Sequence, residues 1–178
     1  MMSASESVLT GLPPLVSPHT RVLILGSFPG VASLRAQQYY GHPQNQFWRL
    51  LSALWPAYPL PAAHDYAARC DWVLARGLGI WDVYAVCERE GSLDTSIRNA
   101  RLNDFAALHA RLPRLAGLAH NGGESFARAR QVRASMGLAA DAPVASLRLP
   151  STSPANASWS FARKCEAWGE AFRRWDLL

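Results

Sequence analysis

The sequence predicts a three-layer α/β/α sandwich with a central four-stranded parallel sheet. Two observations carry this. Short apolar runs alternate with stretches of helical spacing, and strands separated by helices pair in parallel beneath covering helices. Turn residues follow the runs, and in such sheets the carboxyl ends of the strands carry the site. Residues 1–178 suit one domain, with residues 1–20 a loose lead-in carrying Gly11, Pro13, Pro14 and Pro18. Residues 21–26 form a buried strand that closes on glycine. Residues 27–30 turn, and 31–38 start a short helix. From Gln44, the spacing of Phe47, Leu50, Leu51 and Leu54 predicts a helix that Pro56 and Pro59 stop. A second helix follows over 61–75, and 78–86 is the second strand. Residues 88–99 are polar and turn-like, and 103–112 is helical up to Pro113. The third strand covers 115–119, and Asn121, Gly122 and Gly123 open a helix to about Met136. The fourth strand covers 143–149, a loop rich in Ser and Pro covers 150–156, and a closing helix covers 158–175. The turns at 26–30, 84–94, 120–123 and 149–156 should converge on one crevice.

Composition narrows the function. With 49% hydrophobic residues the chain can bury a real core. No basic leader or membrane-length apolar run is evident, so a soluble cytoplasmic protein is expected. The net charge of +5 suits a polyanionic partner. The three cysteines, Cys70, Cys87 and Cys165, form no ligand spacing with one another or with histidine, so neither metal nor cofactor is expected.

Several motifs stand in a telling order. Gly26-Ser27-Phe28-Pro29-Gly30 is followed by residues 39–48, which contain Tyr40, Gly41, His42, Pro43, Asn45, Phe47 and Trp48. Residues 79–82 read Gly-Ile-Trp-Asp, and 91–97 read Gly-Ser-Leu-Asp-Thr-Ser-Ile. After the last strand comes Leu149-Pro150-Ser151-Thr152-Ser153, ending at Asn156. From about Leu12 to the C-terminus this pattern resembles the uracil-DNA glycosylase superfamily. It looks closest to the hypoxanthine (deoxyinosine) glycosylase branch and is related to the mismatch-specific branch.

That resemblance implies a monofunctional hydrolase of base excision repair. It would cut the N-glycosidic bond of a deaminated base and leave an abasic site. Hypoxanthine is favoured, with uracil or xanthine as variants. The partner would be double- or single-stranded DNA carrying a damaged base, and the protein a monomer. Such an enzyme holds its base outside the stack, against an aromatic platform. Tyr40 occupies the place of a base-stacking aromatic, or is a core tyrosine. Gly26, Ser27, Phe28, Pro29, His42 and Asp82 complete the base pocket, and Gly26 lets backbone approach a ligand. Relatives carry a polar Asn or Asp at Phe28 to position water, and several carry His or Asn at Leu149. With both apolar, Asn45 is the matched polar candidate for catalysis, or else it bonds local helix backbone. Asn121 and Gly122, at a helix start, could hold a phosphate, or Asn121 could cap. Ser151, Thr152, Ser153 and Asn156 offer further DNA contacts, or local turn bonds. The residue that fills the vacated base stack is open. Lys164 is the sole lysine and lies outside these motifs, so no Schiff-base lyase chemistry is expected. Two other readings exist. One is a serine hydrolase using Ser27 and His42, though the nucleophile-elbow pattern is missing. The other is a non-catalytic lesion-binding module, which Phe28 and Leu149 favour.

Overall fold

Apolar runs buried on both faces of a sheet form its centre, and this chain supplies them at Val22–Gly26, Leu78–Asp82 and Gly117–Asn121. The computed structural model describes residues 7–178. Its strands are β1 (Val8–Thr10), β2 (Val22–Gly26), β3 (Leu78–Asp82), β4 (Tyr84–Glu88), β5 (Arg98–Leu102), β6 (Gly117–Asn121) and β7 (Ala145–Leu149). Its helices are α1 (Val31–Ala36), α2 (Phe47–Leu54), α3 (Tyr66–Ala75), α4 (Phe105–His109), α5 (Gly123–Phe126), α6 (Ala129–Ser135) and α7 (Phe161–Arg174). The main sheet is four-stranded, in the order β3-β2-β6-β7, and every pairing in it is parallel. Helices cover it to give the expected α/β/α sandwich. Among the covering contacts, Phe47 meets Trp168 edge-on, Trp55 packs on Trp72 and Phe172, and Phe105 packs on Trp81.

Three expectations need correction. The run 78–86 is two strands, because the chain leaves the main sheet at Val83. Tyr84–Glu88 joins a second, antiparallel sheet in the order β1-β4-β5. The apolar run carries no turn residue to announce that switch. The lead-in is not loose over its described part. Val8–Thr10 pairs with β4, and Leu15 exchanges two backbone bonds of 2.9 Å with Ile80, closing the β3 edge. Residues 1–6 lie outside the described residues. The helices are also shorter than expected. Residues 61–65 precede α3, and the stretch from Gly123 to Ser135 is two helices broken near Ala127.

One buried polar link fixes α5 under the sheet. Ser125 Oγ donates to the Leu25 carbonyl at 2.8 Å, so the 2.8 Å contact with His120 Nδ1 must use an imidazole N–H. Burial holds His120 neutral, with its pKa lowered to about 4.

Candidate active site

Every predicted site residue lines one cleft of about 810 Å³ at the carboxyl ends of the parallel strands. The β2 end supplies Gly26, Ser27, Phe28 and Pro29, and the β3 end supplies Asp82. The α1–α2 connection brings Tyr40, His42 and Asn45. Asn121 and Gly122 come from the β6 end, and the β7–α7 loop brings Ser151, Thr152, Ser153 and Asn156.

Tyr40 is built as a platform. Its backbone is left-handed, with φ 53, a conformation few bulky residues adopt. The ring stacks on Phe47 at 3.8 Å between centroids and 21° between planes. Its hydroxyl accepts from Asn121 Nδ2 at 3.1 Å. Burial, chiefly, pushes the phenol's pKa up, so it stays protonated. Phe28 forms an apolar wall, with the Arg89 guanidinium 5.2 Å from its ring centroid. Arg89 also donates to the Pro29 carbonyl and is itself buried.

The Asn45 amide is divided. Its Oδ1 accepts from the Phe47 N–H at 3.0 Å, at the start of α2, leaving the Nδ2 hydrogens as its available donors. His42 Nδ1 accepts from the Gln44 N–H at 3.1 Å, a local loop bond. Ser27 donates to Asp94 Oδ1 at 2.5 Å rather than to His42, so the serine–histidine pair of a hydrolase is not assembled.

Asn121 does not cap α5, whose cap is Gly122, and its amide is bonded within the protein. Its Nδ2 donates to Tyr40 and, at 3.0 Å, to Thr152 Oγ1, while its Oδ1 accepts from the Thr152 N–H at 3.0 Å. These bonds lock the β6 end to the β7–α7 loop. The Gly122 N–H is likewise spent on the Leu149 carbonyl at 3.0 Å, and Thr152 is fully buried. Asn121, Gly122 and Thr152 therefore tie the strand ends together and shape the cleft. Ser151 and Ser153 accept local N–H bonds, and Asn156 donates to the Ser151 carbonyl at 3.1 Å, yet all three still face the cleft.

Sequence reasoning missed four groups: Asp94, Arg89, Arg148 and Trp159. Asp94 sits on the β4–β5 connection, which folds over the cleft beside Ser27. Arg148 and Trp159 flank the β7–α7 loop and line the cleft. Their nearness in sequence to Leu149–Asn156 was the available signal. Among the described residues, no three of His, Cys, Asp and Glu converge as a metal site. Lys164 is outside the cleft lining and buried, with Nζ donating to Gln46 Oε1 at 3.0 Å.

Asp82 carries the strongest electrostatic perturbation of a carboxyl group. It is 6% exposed, and among the described residues its buried Oδ2 has no hydrogen-bond partner. Burial, and then repulsion from Asp94, raise its pKa to about 7 against the pull of Arg89. The folded state thus binds this proton more tightly than the unfolded chain. The stability this confers is greatest below the ordinary carboxylate range and is lost as pH rises through about 7. Asp82→Asn should raise the melting temperature by about 5 °C at about pH 8, and by much less at about pH 5. Equal shifts at both pH values in thermal melts would show that Asp82 keeps an ordinary pKa.

Residues 13–175 match the profile of the Uracil DNA glycosylase superfamily. A Hypoxanthine DNA glycosylase from Methanosarcina barkeri is 38% identical over 164 residues, covering 92% of this chain and 98% of the relative. One from Methanosarcina acetivorans is 35% identical over 163 residues, covering 92% and 97%. The solution NMR structure of a candidate uracil DNA glycosylase from Methanosarcina acetivorans superposes with a TM-score of 0.77 at 34% identity, covering 96% of this chain and 99% of that one. The chain belongs to the uracil DNA glycosylase superfamily.

Proposed function

We propose that this protein is a monofunctional DNA glycosylase that removes hypoxanthine from DNA. The carrying observation is the cleft, where a phenol ring backed by Phe47 stands among hydrogen-bonding groups at the strand ends. A flipped purine stacks on Tyr40. Asn45 Nδ2 donates to the departing base as it takes up the electron pair of the glycosidic bond. The apolar wall of Phe28 and Leu149 keeps the base face dry. Arg148, Ser151 and Ser153 lie where the flanking phosphates pass. The names of the two Methanosarcina relatives support hypoxanthine as the base.

Single-turnover assays on duplexes carrying hypoxanthine, uracil or xanthine test this reading. Hypoxanthine should be released fastest, leaving DNA that breaks only after alkali or heat. Spontaneous nicking abolished by Lys164→Ala would show lyase chemistry instead. Tight lesion binding with no release would favour the lesion-binding module. Binding should also weaken steeply from low to physiological salt, because phosphate contacts displace counterions. Salt-independent affinity would remove the phosphate contacts from the picture.

A further inference from the structure

Water attacking the sugar needs an acceptor for its proton, and the usual place for one is filled here by Phe28, a buried hydrocarbon under Arg89. Asn45 is not the replacement, because its oxygen is bonded to the Phe47 N–H and the amide offers the cleft donors. The cleft contains two carboxyl groups. Asp82 lies deep, with an unpartnered buried oxygen. Asp94 arrives from a different element, and one of its oxygens is held at 2.5 Å by the hydroxyl of Ser27, the neighbour of Phe28. Among the described residues, Ser27 is the one side-chain partner of the Asp94 carboxylate, through Oδ1.

Resting on the glycosylase reading above, we infer that Asp94, held by Ser27, is the general base that orients and deprotonates the attacking water. The C1′–N bond of the lesion breaks, and its electron pair leaves with the base. The water oxygen bonds to C1′, and the water proton passes to the Asp94 carboxylate. Ser27 is a positioning residue. It fixes one oxygen so that the other faces the sugar. Asp82 is a buried neighbour in the same cleft, and its unpartnered Oδ2 is closed off from water.

The groups around Asp94 make its ionisation measurable. Burial raises its pKa, and Glu124 on α5 pushes the same way, while the Ser27 hydrogen bond and Arg89 at the end of β4 pull it down. Asp82 at the β3 end, which Asp94 repels, and the protonated phenol of Tyr40 face the same space. His42 also lines the cleft. A base must be ionised, so the excision rate should rise with pH along an acid limb and then level.

The test uses the full chain and a hypoxanthine-containing duplex in single-turnover assays from about pH 4.5 to 8.5. Asp94→Asn keeps an acceptor for Ser27 but cannot take a proton. It should lower the plateau rate by about a hundredfold, flatten the acid limb, and leave the melting temperature and lesion affinity close to those of the wild type. Azide, an anion that needs no deprotonation, should restore part of the rate in Asp94→Asn and none in the wild type. Ser27→Ala should slow the reaction less than Asp94→Asn while keeping the acid limb. His42→Ala should keep that limb at the same pH, whatever its rate. A wild-type rate in Asp94→Asn overturns the assignment, as does a slowed variant with an unchanged acid limb and no azide rescue. If the wild-type protein itself releases no base, the glycosylase reading fails instead.

Discussion

Asn45→Ala should lower the single-turnover excision rate by about a hundredfold, the usual loss when one positioned donor leaves a closed site. The substitution also removes the bond from Asn45 Oδ1 to the Phe47 N–H, so a structural effect must be separated from a chemical one. Losing a side-chain acceptor at a helix start costs about 1 kcal/mol, or roughly 3 °C in melting temperature for a chain of this size. Asn45→Asp separates the two. The carboxylate still accepts from Phe47 N–H, and it favours the positive end of α2. It has no N–H to offer the departing base, and its charge repels electron density building there. The two variants should therefore be similarly slow, with only Asn45→Ala less stable. Lesion affinity should change little in Asn45→Ala, whereas Tyr40→Ala should weaken capture of the flipped base. A fully active Asn45→Asp would reduce Asn45 to a helix-start residue. The donor to the leaving base would then have to come from the main chain or from protonated Asp82.

Much of this architecture was legible because parallel strands must be apolar on both faces. The runs at 22–25, 78–81 and 117–119 could hardly be anything but buried, and glycine or a polar residue at each end marked the site. The second sheet was illegible for the opposite reason. Arg98–Leu102 is polar and largely exposed, and Val8–Thr10 has three residues, so neither carries a hydrophobic period. That sheet is made by pairing rather than by burial. The same difference decided which site residues were visible. Tyr40, Asn45, Asp82 and Asp94 all lie in or beside motifs, but a motif does not show which partner a residue meets. Asp94 meets Ser27 across 67 positions, because the β4–β5 connection folds back over the β2 end. No local pattern encodes that meeting. The place of Asn121 was legible, but its partners were not. The Asn-Gly-Gly segment after β6 opens a helix as expected, with Gly122 as its cap, while the Asn121 amide is taken up by Thr152 and Tyr40.

Gly26→Ala should be the most damaging single-methyl change in the cleft. A Cβ at this position would lie 2.5 Å from Asp82 Oδ1 and 3.5 Å from the Tyr40 hydroxyl. The first distance is too short to survive, and Asp82 is a short, buried side chain with little room to yield. Backbone flexibility is not the issue, since Gly26 is not among the residues with positive φ. The glycine is there because the carboxyl crosses over the strand end where a side chain would project. Displacing that carboxyl would disturb Asp94, which repels it, and the Tyr40 phenol beyond. Excision should fall by a factor on the order of 10² to 10³, since misplacing a site group by about 1 Å alone can cost a hundredfold. Stability should fall by about 1–3 kcal/mol from overpacking. A double-mutant cycle identifies the cause. In an Asp82→Ala background the space is vacant, so adding Gly26→Ala should cause little further loss of stability, a strongly non-additive result. Additive losses would mean that the methyl group clashes with something other than Asp82. A Gly26→Ala protein with unchanged rate and melting temperature would mean that Asp82 does not cross the β2 end in solution, and that the two carboxyl groups of the cleft lie farther apart than the proposed chemistry requires.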